Sequence, residues 1–98
     1  MTLSYEALIA AIINQTNAIG LTVREVYLAV GKKLWQRLAC DARLFPLTDY
    51  SGHHIRINGA RVDVVSVADK ILQNPENHAR LYAWPEQGAT LIMEGEVA

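Results

Sequence analysis

The segment His54–Val64 constrains this chain more than any other. Apolar and polar residues alternate on both sides of Asn58-Gly59, in the order His-Ile-Arg-Ile-Asn-Gly-Ala-Arg-Val-Asp-Val. A period of two puts one set of side chains on one face of a strand. Asn-Gly suits the two-residue type I′ turn, whose central residues both need positive φ. A β-hairpin is therefore predicted, with Ile55, Ile57, Ala60, Val62 and Val64 facing a core. His54, Arg56, Arg61 and Asp63 face outward. Arg56 and Arg61 fall directly opposite each other, and like charges so placed cost on the order of a few tenths of a kcal/mol. An anionic partner would remove that penalty. His54 and Asp63 form the next opposed pair.

Helical periodicity dominates the first half. Tyr5, Leu8, Ile9, Ile12 and Ile13 form one stripe, predicting a helix from Tyr5 to Ala18 with Ser4 as N-cap and Gly20 as the stop. Thr22-Val23-Arg24-Glu25 has the spacing of a capping box. Val23, Val26, Tyr27 and Val30 supply a second helical stripe. A third pattern runs from Lys32 to Phe45. Leu34, Trp35, Leu38, Ala39, Ala42 and Phe45 lie on its apolar arc, and Lys32, Lys33, Gln36, Arg37, Cys40 and Arg43 on its polar arc. Gly31 costs about 1 kcal/mol inside a helix relative to alanine, which favours a break. Residues 22–45 thus read as two helices rather than one, with the continuous version left open.

Phe45-Pro46 ends this stretch, because a residue before proline avoids helical geometry. Residues 46–52 read as a loop. After the hairpin, Ser66 opens a short helix to Gln73. Asn74-Pro75 starts another to Ala83, closed by Trp84-Pro85. Ala89 to Glu94 reads as a strand, followed by an acidic tail. The expected fold is α+β in a single domain spanning residues 1–98: three N-terminal helices, a hairpin, two short helices and a C-terminal strand. The order helix, helix, helix, hairpin is that of a winged helix-turn-helix.

Composition narrows the function classes. Of 98 residues, 51% are hydrophobic and 19% charged, which excludes general disorder. Cys40 is the one cysteine, so no internal disulfide forms, and a cytoplasmic location is expected. The apolar run Ala7–Ile13 is too short to span a bilayer. It is preceded by Glu6 and by no basic residue, so neither membrane insertion nor a secretory signal is expected. On that ground the sequon Asn14-Gln15-Thr16 is discounted. His53, His54 and His78 lack zinc-ligand spacing with Cys40, so no metal or cofactor is expected. No Ser-His-Asp order, glycine-rich phosphate loop or catalytic carboxylate pair stands out, so a non-enzyme is expected.

The net charge of −1 hides an asymmetry. Residues 24–61 hold seven basic residues against three acids, for a charge of +4, while the rest of the chain carries −5. A winged-helix DNA-binding regulator of bacterial or phage type would use Lys32, Lys33, Gln36, Arg37 and Arg43 on a groove-facing helix. Arg56 and Arg61 would sit on the wing, and the ligand would be double-stranded DNA. The alternative is a protein-binding module, such as an inhibitor, antitoxin or adaptor. It would act through exposed Leu28, Trp84, Leu91 and Met93, and a homodimer is compatible with either reading.

Overall fold

The computed structural model of the protein describes residues 2–65, 75–85 and 88–98. Its elements run β1 (Thr2–Leu3), α1 (Tyr5–Asn17), β2 (Glu25–Gly31), α2 (Lys32–Ala39), β3 (Thr48–Asp49), β4 (Ile55–Ile57), β5 (Ala60–Val65), β6 (His78–Trp84) and β7 (Thr90–Val97). Short 3₁₀ turns occupy Phe45–Leu47 and Pro75–Asn77. Among the described residues the strands form one mixed seven-stranded sheet, in the order β1-β7-β6-β2-β5-β4-β3. β1 runs parallel to β7 and β2 parallel to β5, and the other neighbours are antiparallel.

The expectation of an α+β chain stands, but the three N-terminal helices do not. α1 forms as expected, with Ser4 Oγ accepting from the Ala7 amide. Residues 25–31 are instead a strand at the centre of the sheet. Its β-branched and aromatic residues suit a strand, and β5 and β6 on either side satisfy its backbone. The capping-box spacing at Thr22–Glu25 therefore starts no helix. Gly31 neither breaks nor continues one: it closes β2 and is the N-cap of α2. The Lys32–Phe45 pattern is helical only to Ala39. The predicted helix from Pro75 to Ala83 is a 3₁₀ turn followed by β6. The helix expected over 66–73 lies outside the described residues.

The hairpin forms about Asn58-Gly59 in the predicted register, although not every residue takes its expected place. Ile55 pairs with Val62, Arg56 with Arg61 and Ile57 with Ala60. Asn58 and Gly59 have φ of 49° and 94°, as a type I′ turn requires. Ile57, Ala60 and Val62 are buried, while Val64, assigned to the core from sequence, is exposed. Phe45 is likewise exposed and Ala42 lies on the surface, because α2 ends before reaching them. His54 precedes β4 and is exposed, and Asp63 is instead bonded by Tyr27.

Handedness explains where the helices go. The sheet places β1, β2 and β5 parallel to one another, successively further in one direction across the sheet. Right-handed crossovers in the same direction put α1 and α2 on the same face. Burial agrees. Val26, Leu28 and Val30 of β2 are fully buried, as are Ala79 and Leu81 of β6, and Ala83 is nearly so. They share one core with Leu8, Ile9 and Ile12 of α1 and Leu34 and Leu38 of α2. The alternate residues face away from both helices. Among the described residues the result is a two-layer sandwich with a covered and an open sheet face.

Candidate functional site

The open face carries Tyr27 from β2 and Tyr82 and Trp84 from β6. They reach it because β2 and β6 alternate strictly and are antiparallel, with Tyr27 opposite Tyr82. Ring centroids lie 6.3 Å apart for Tyr27–Tyr82 and 6.4 Å for Tyr82–Trp84, both tilted. That spacing is favourable for aromatic pairs. All three rings are half-buried by their neighbours alone. The Tyr27 hydroxyl donates to Asp63 Oδ2 at 2.7 Å. Burial, then the Asp63 hydrogen bond, raises the pKa of this hydroxyl.

Charges of both signs surround the stripe. Arg80 of β6 meets Glu94 of β7 at 2.7 Å, and Arg61 lies 3.7 Å from Asp63 on β5. Glu25 is registered opposite Trp84 at the stripe's end. Arg24 Nε donates to the Pro85 carbonyl at 3.0 Å, and the Arg24 amide to the Trp84 carbonyl at 2.7 Å. These side chains remain substantially solvated, so each ion pair adds little to stability. They set the electrostatic pattern of the face.

The sequence-derived DNA-contact residues do not assemble into one surface. Lys32, Lys33, Gln36 and Arg37 lie exposed on α2, on the helix side of the sheet. Arg56 and Arg61 point to the opposite side, because Ile57, Ala60 and Val62 next to them are buried in the core. Several cations are already engaged. Arg43 clasps Asp41 through Nε at 3.0 Å and Nη2 at 2.8 Å, and also pairs with Glu6. The Arg37 guanidinium carbon stands 4.1 Å from the Tyr5 ring centroid, and its Nη1 donates to the Ala98 carbonyl at 3.1 Å. Arg56 Nη1 reaches the Gly59 carbonyl at 3.3 Å.

The Tyr5 hydroxyl donates to Asp41 Oδ2 at 2.9 Å and joins the same junction. Hydrogen bonds from Arg43 hold the Asp41 carboxyl well below the usual carboxylate range. Burial, then the Asp41 contact, pushes the Tyr5 hydroxyl up to about 12. This junction ties the start of α1 to the segment after α2. The hairpin tip is tied too: Asn58 Nδ2 donates to Thr16 Oγ1 at 3.1 Å and Asn17 Oδ1 at 2.9 Å. A wing needs a free tip, and this tip is docked on α1. The winged-helix arrangement is therefore not formed.

Of the sequence-derived protein-contact residues, Leu28 is a correction. It is fully buried at the centre of β2 and contacts no solvent. Trp84 stands half-buried on the open face, Leu91 is exposed at its rim, and Met93 packs partly buried against the core. Sequence reasoning picks out Tyr82 with Trp84 and Pro85 as an aromatic cluster at a helix end, but it missed the strand that sets Tyr27 and Asp63 beside them. The signal was the period-two run His78-Ala79-Arg80-Leu81-Tyr82-Ala83-Trp84, which the Asn74-Pro75 helix start obscured. Among the described residues no three His, Cys, Asp or Glu side chains gather as a metal site, and no helix is long and apolar enough to cross a membrane.

These features define the class: a two-layer α+β sandwich with one aromatic sheet face that no helix covers among the described residues. Compared with known proteins, the chain matches no family model, no curated protein and no solved structure.

Proposed function

We propose that this protein is a non-enzymatic protein-binding module that engages its partner with the open sheet face. The observation that carries this reading is the Tyr27–Tyr82–Trp84 stripe, half-exposed and ringed by charges of both signs. Tyrosine, tryptophan and arginine are the residue types that dominate interface energetics. They offer large apolar area at low entropic cost, with polar edges that tolerate water when unbound. Mixed charge fits a protein partner better than a polyphosphate. A nucleic-acid backbone laid on this face would meet Glu25, Asp63 and Glu94 as well as the arginines. The duplex-binding reading is weaker, since its cations divide between the two sides of the sheet.

The test places a photoreactive amino acid at Tyr82, and separately at Gln36 of α2, in cells that make the protein. Position 82 should yield a discrete adduct with another protein and position 36 none. With that partner purified, Trp84→Ala should weaken binding by roughly 30-fold, corresponding to a hot spot of about 2 kcal/mol. Equal adducts from both positions, or none from position 82, would overturn the reading.

A further inference from the structure

Arg56 and Arg61 stand directly opposite each other on β4 and β5, a placement that sets Cβ atoms about 5 Å apart. Both point to the open side of the sheet. The acids nearest to them are bonded elsewhere. Asp63 lies 3.7 Å from Arg61 Nε, beyond hydrogen-bond reach, and its Oδ2 accepts from the Tyr27 hydroxyl. Asp49 is registered opposite Arg56 from β3, but its Oδ1 accepts from the Ser51 amide. Arg61 Nε is shut off from solvent with no hydrogen-bond partner among the described residues. Arg56 is exposed and gives Nη1 to the Gly59 carbonyl at 3.3 Å. Two guanidinium groups held this close repel each other, and their planar donors match a carboxylate.

The pair continues a row across the open face. Arg61 is registered opposite Tyr27, and Tyr27 opposite Tyr82. At about 4.8 Å between strands, the centre of the arginine pair lies roughly 10 Å from the centre of the tyrosine pair. An extended chain covers that distance in about three residues. Asp63 and Glu25 belong to the neighbouring rungs, opposite Ala29 and Trp84. We propose that the open face takes an acidic peptide segment of its protein partner, with a carboxylate between Arg56 and Arg61 and an aromatic or large aliphatic side chain about three residues away on Tyr27 and Tyr82. This rests on the open face being the interface, and names the chemistry it selects. A carboxylate there accepts hydrogen bonds from both arginines and removes their repulsion. A peptide brings one negative charge to the pair. A nucleic-acid strand brings one at every nucleotide, against the carboxylates of Asp63 and Glu25.

The probes are a blocked glycine–serine hexapeptide carrying glutamate three residues before tryptophan, and the same peptide with glutamine instead. Heteronuclear NMR titration at constant ionic strength reads the arginine Nε–H resonances and the backbone amides. The glutamate peptide should shift Arg56, Arg61, Tyr27 and Tyr82 together. It should bind roughly tenfold tighter than the glutamine peptide, as charge-assisted hydrogen bonds imply. Arg56→Gln should abolish that preference while its urea midpoint holds or rises, because one of two opposed charges is gone. No difference between the peptides, or a glutamate preference that survives in Arg56→Gln, would overturn the proposal. So would tighter binding of a short oligothymidylate at the same ionic strength. An adduct from position 82 that forms as well in Arg56→Gln would overturn it and leave the open-face reading standing. No adduct from position 82 in the unmodified protein would overturn both.

Discussion

Gly31 occupies a position where two segments meet. A Cβ placed on it would lie 2.2 Å from the Pro75 carbonyl oxygen and 2.5 Å from Glu76 backbone atoms. Its φ of −69° is open to any residue, so close approach rather than backbone freedom requires glycine here. Backbone is the obstacle, and backbone cannot swing aside as a flexible side chain can. Gly31→Ala should therefore destabilise the fold by about 1–3 kcal/mol, the usual cost of overpacking. A urea melt checks this, and a shift of less than ~0.5 kcal/mol would contradict the packing described. From sequence the same glycine reads as a helix break at a cost of about 1 kcal/mol. The residue is decisive in both readings, but its neighbour 44 positions on, Pro75, is visible only in the fold.

The elements hold together through polar junctions at their ends. Asn58 fastens the hairpin turn to the last turn of α1, and Asp41 links Tyr5 of α1 to Arg43 beyond α2. Arg43 depresses the Asp41 pKa in the folded state. A depressed carboxylate contributes stability above its unfolded pKa, about 3.9, and loses it as pH falls through the lower folded value. Glu6, lowered by the same arginine, acts in the same direction. Unfolding measured from pH 2 to 7 should show stability falling below about pH 4. Asp41→Asn should be less stable at pH 7 and have a shallower acid limb. Parallel curves for the two proteins would remove Asp41 from the account.

At the scale of the molecule, the sheet separates the charges that sequence groups together. Residues 24–61 carry +4, but Lys32, Lys33 and Arg37 lie on the helix side and Arg56 and Arg61 on the open side. A duplex could meet only one of these sets at a time. Titration with random duplex DNA at several salt concentrations should show weak binding, with a shallow dependence of log K on log salt. Seven phosphate contacts acting together would give a slope near −6, at about −0.9 per contact. A slope of that size would restore the duplex-binding reading.

Local chemistry was legible in the sequence wherever a short segment decides its own conformation. Ser4 capping α1, the five-residue stripe of that helix, the Asn58-Gly59 turn and the Arg56–Arg61 opposition all depend on neighbours within a few positions. The strand β2 was not legible, because what makes it a strand is pairing with β5 and β6, more than thirty positions away. Locally, Thr22–Glu25 and the spacing of Val23, Val26, Tyr27 and Val30 satisfy a helix as well. Tertiary hydrogen bonding overrides that weak preference. The same pairing buries Leu28 and brings Tyr27 beside Tyr82. The sequence by itself determined a small α+β chain with a hairpin about Asn58-Gly59 and a basic middle. Only the tertiary structure decided that both helices share one face, because the right-handed crossovers run the same way across the sheet. That choice leaves the aromatic face open and divides the basic residues between its two sides.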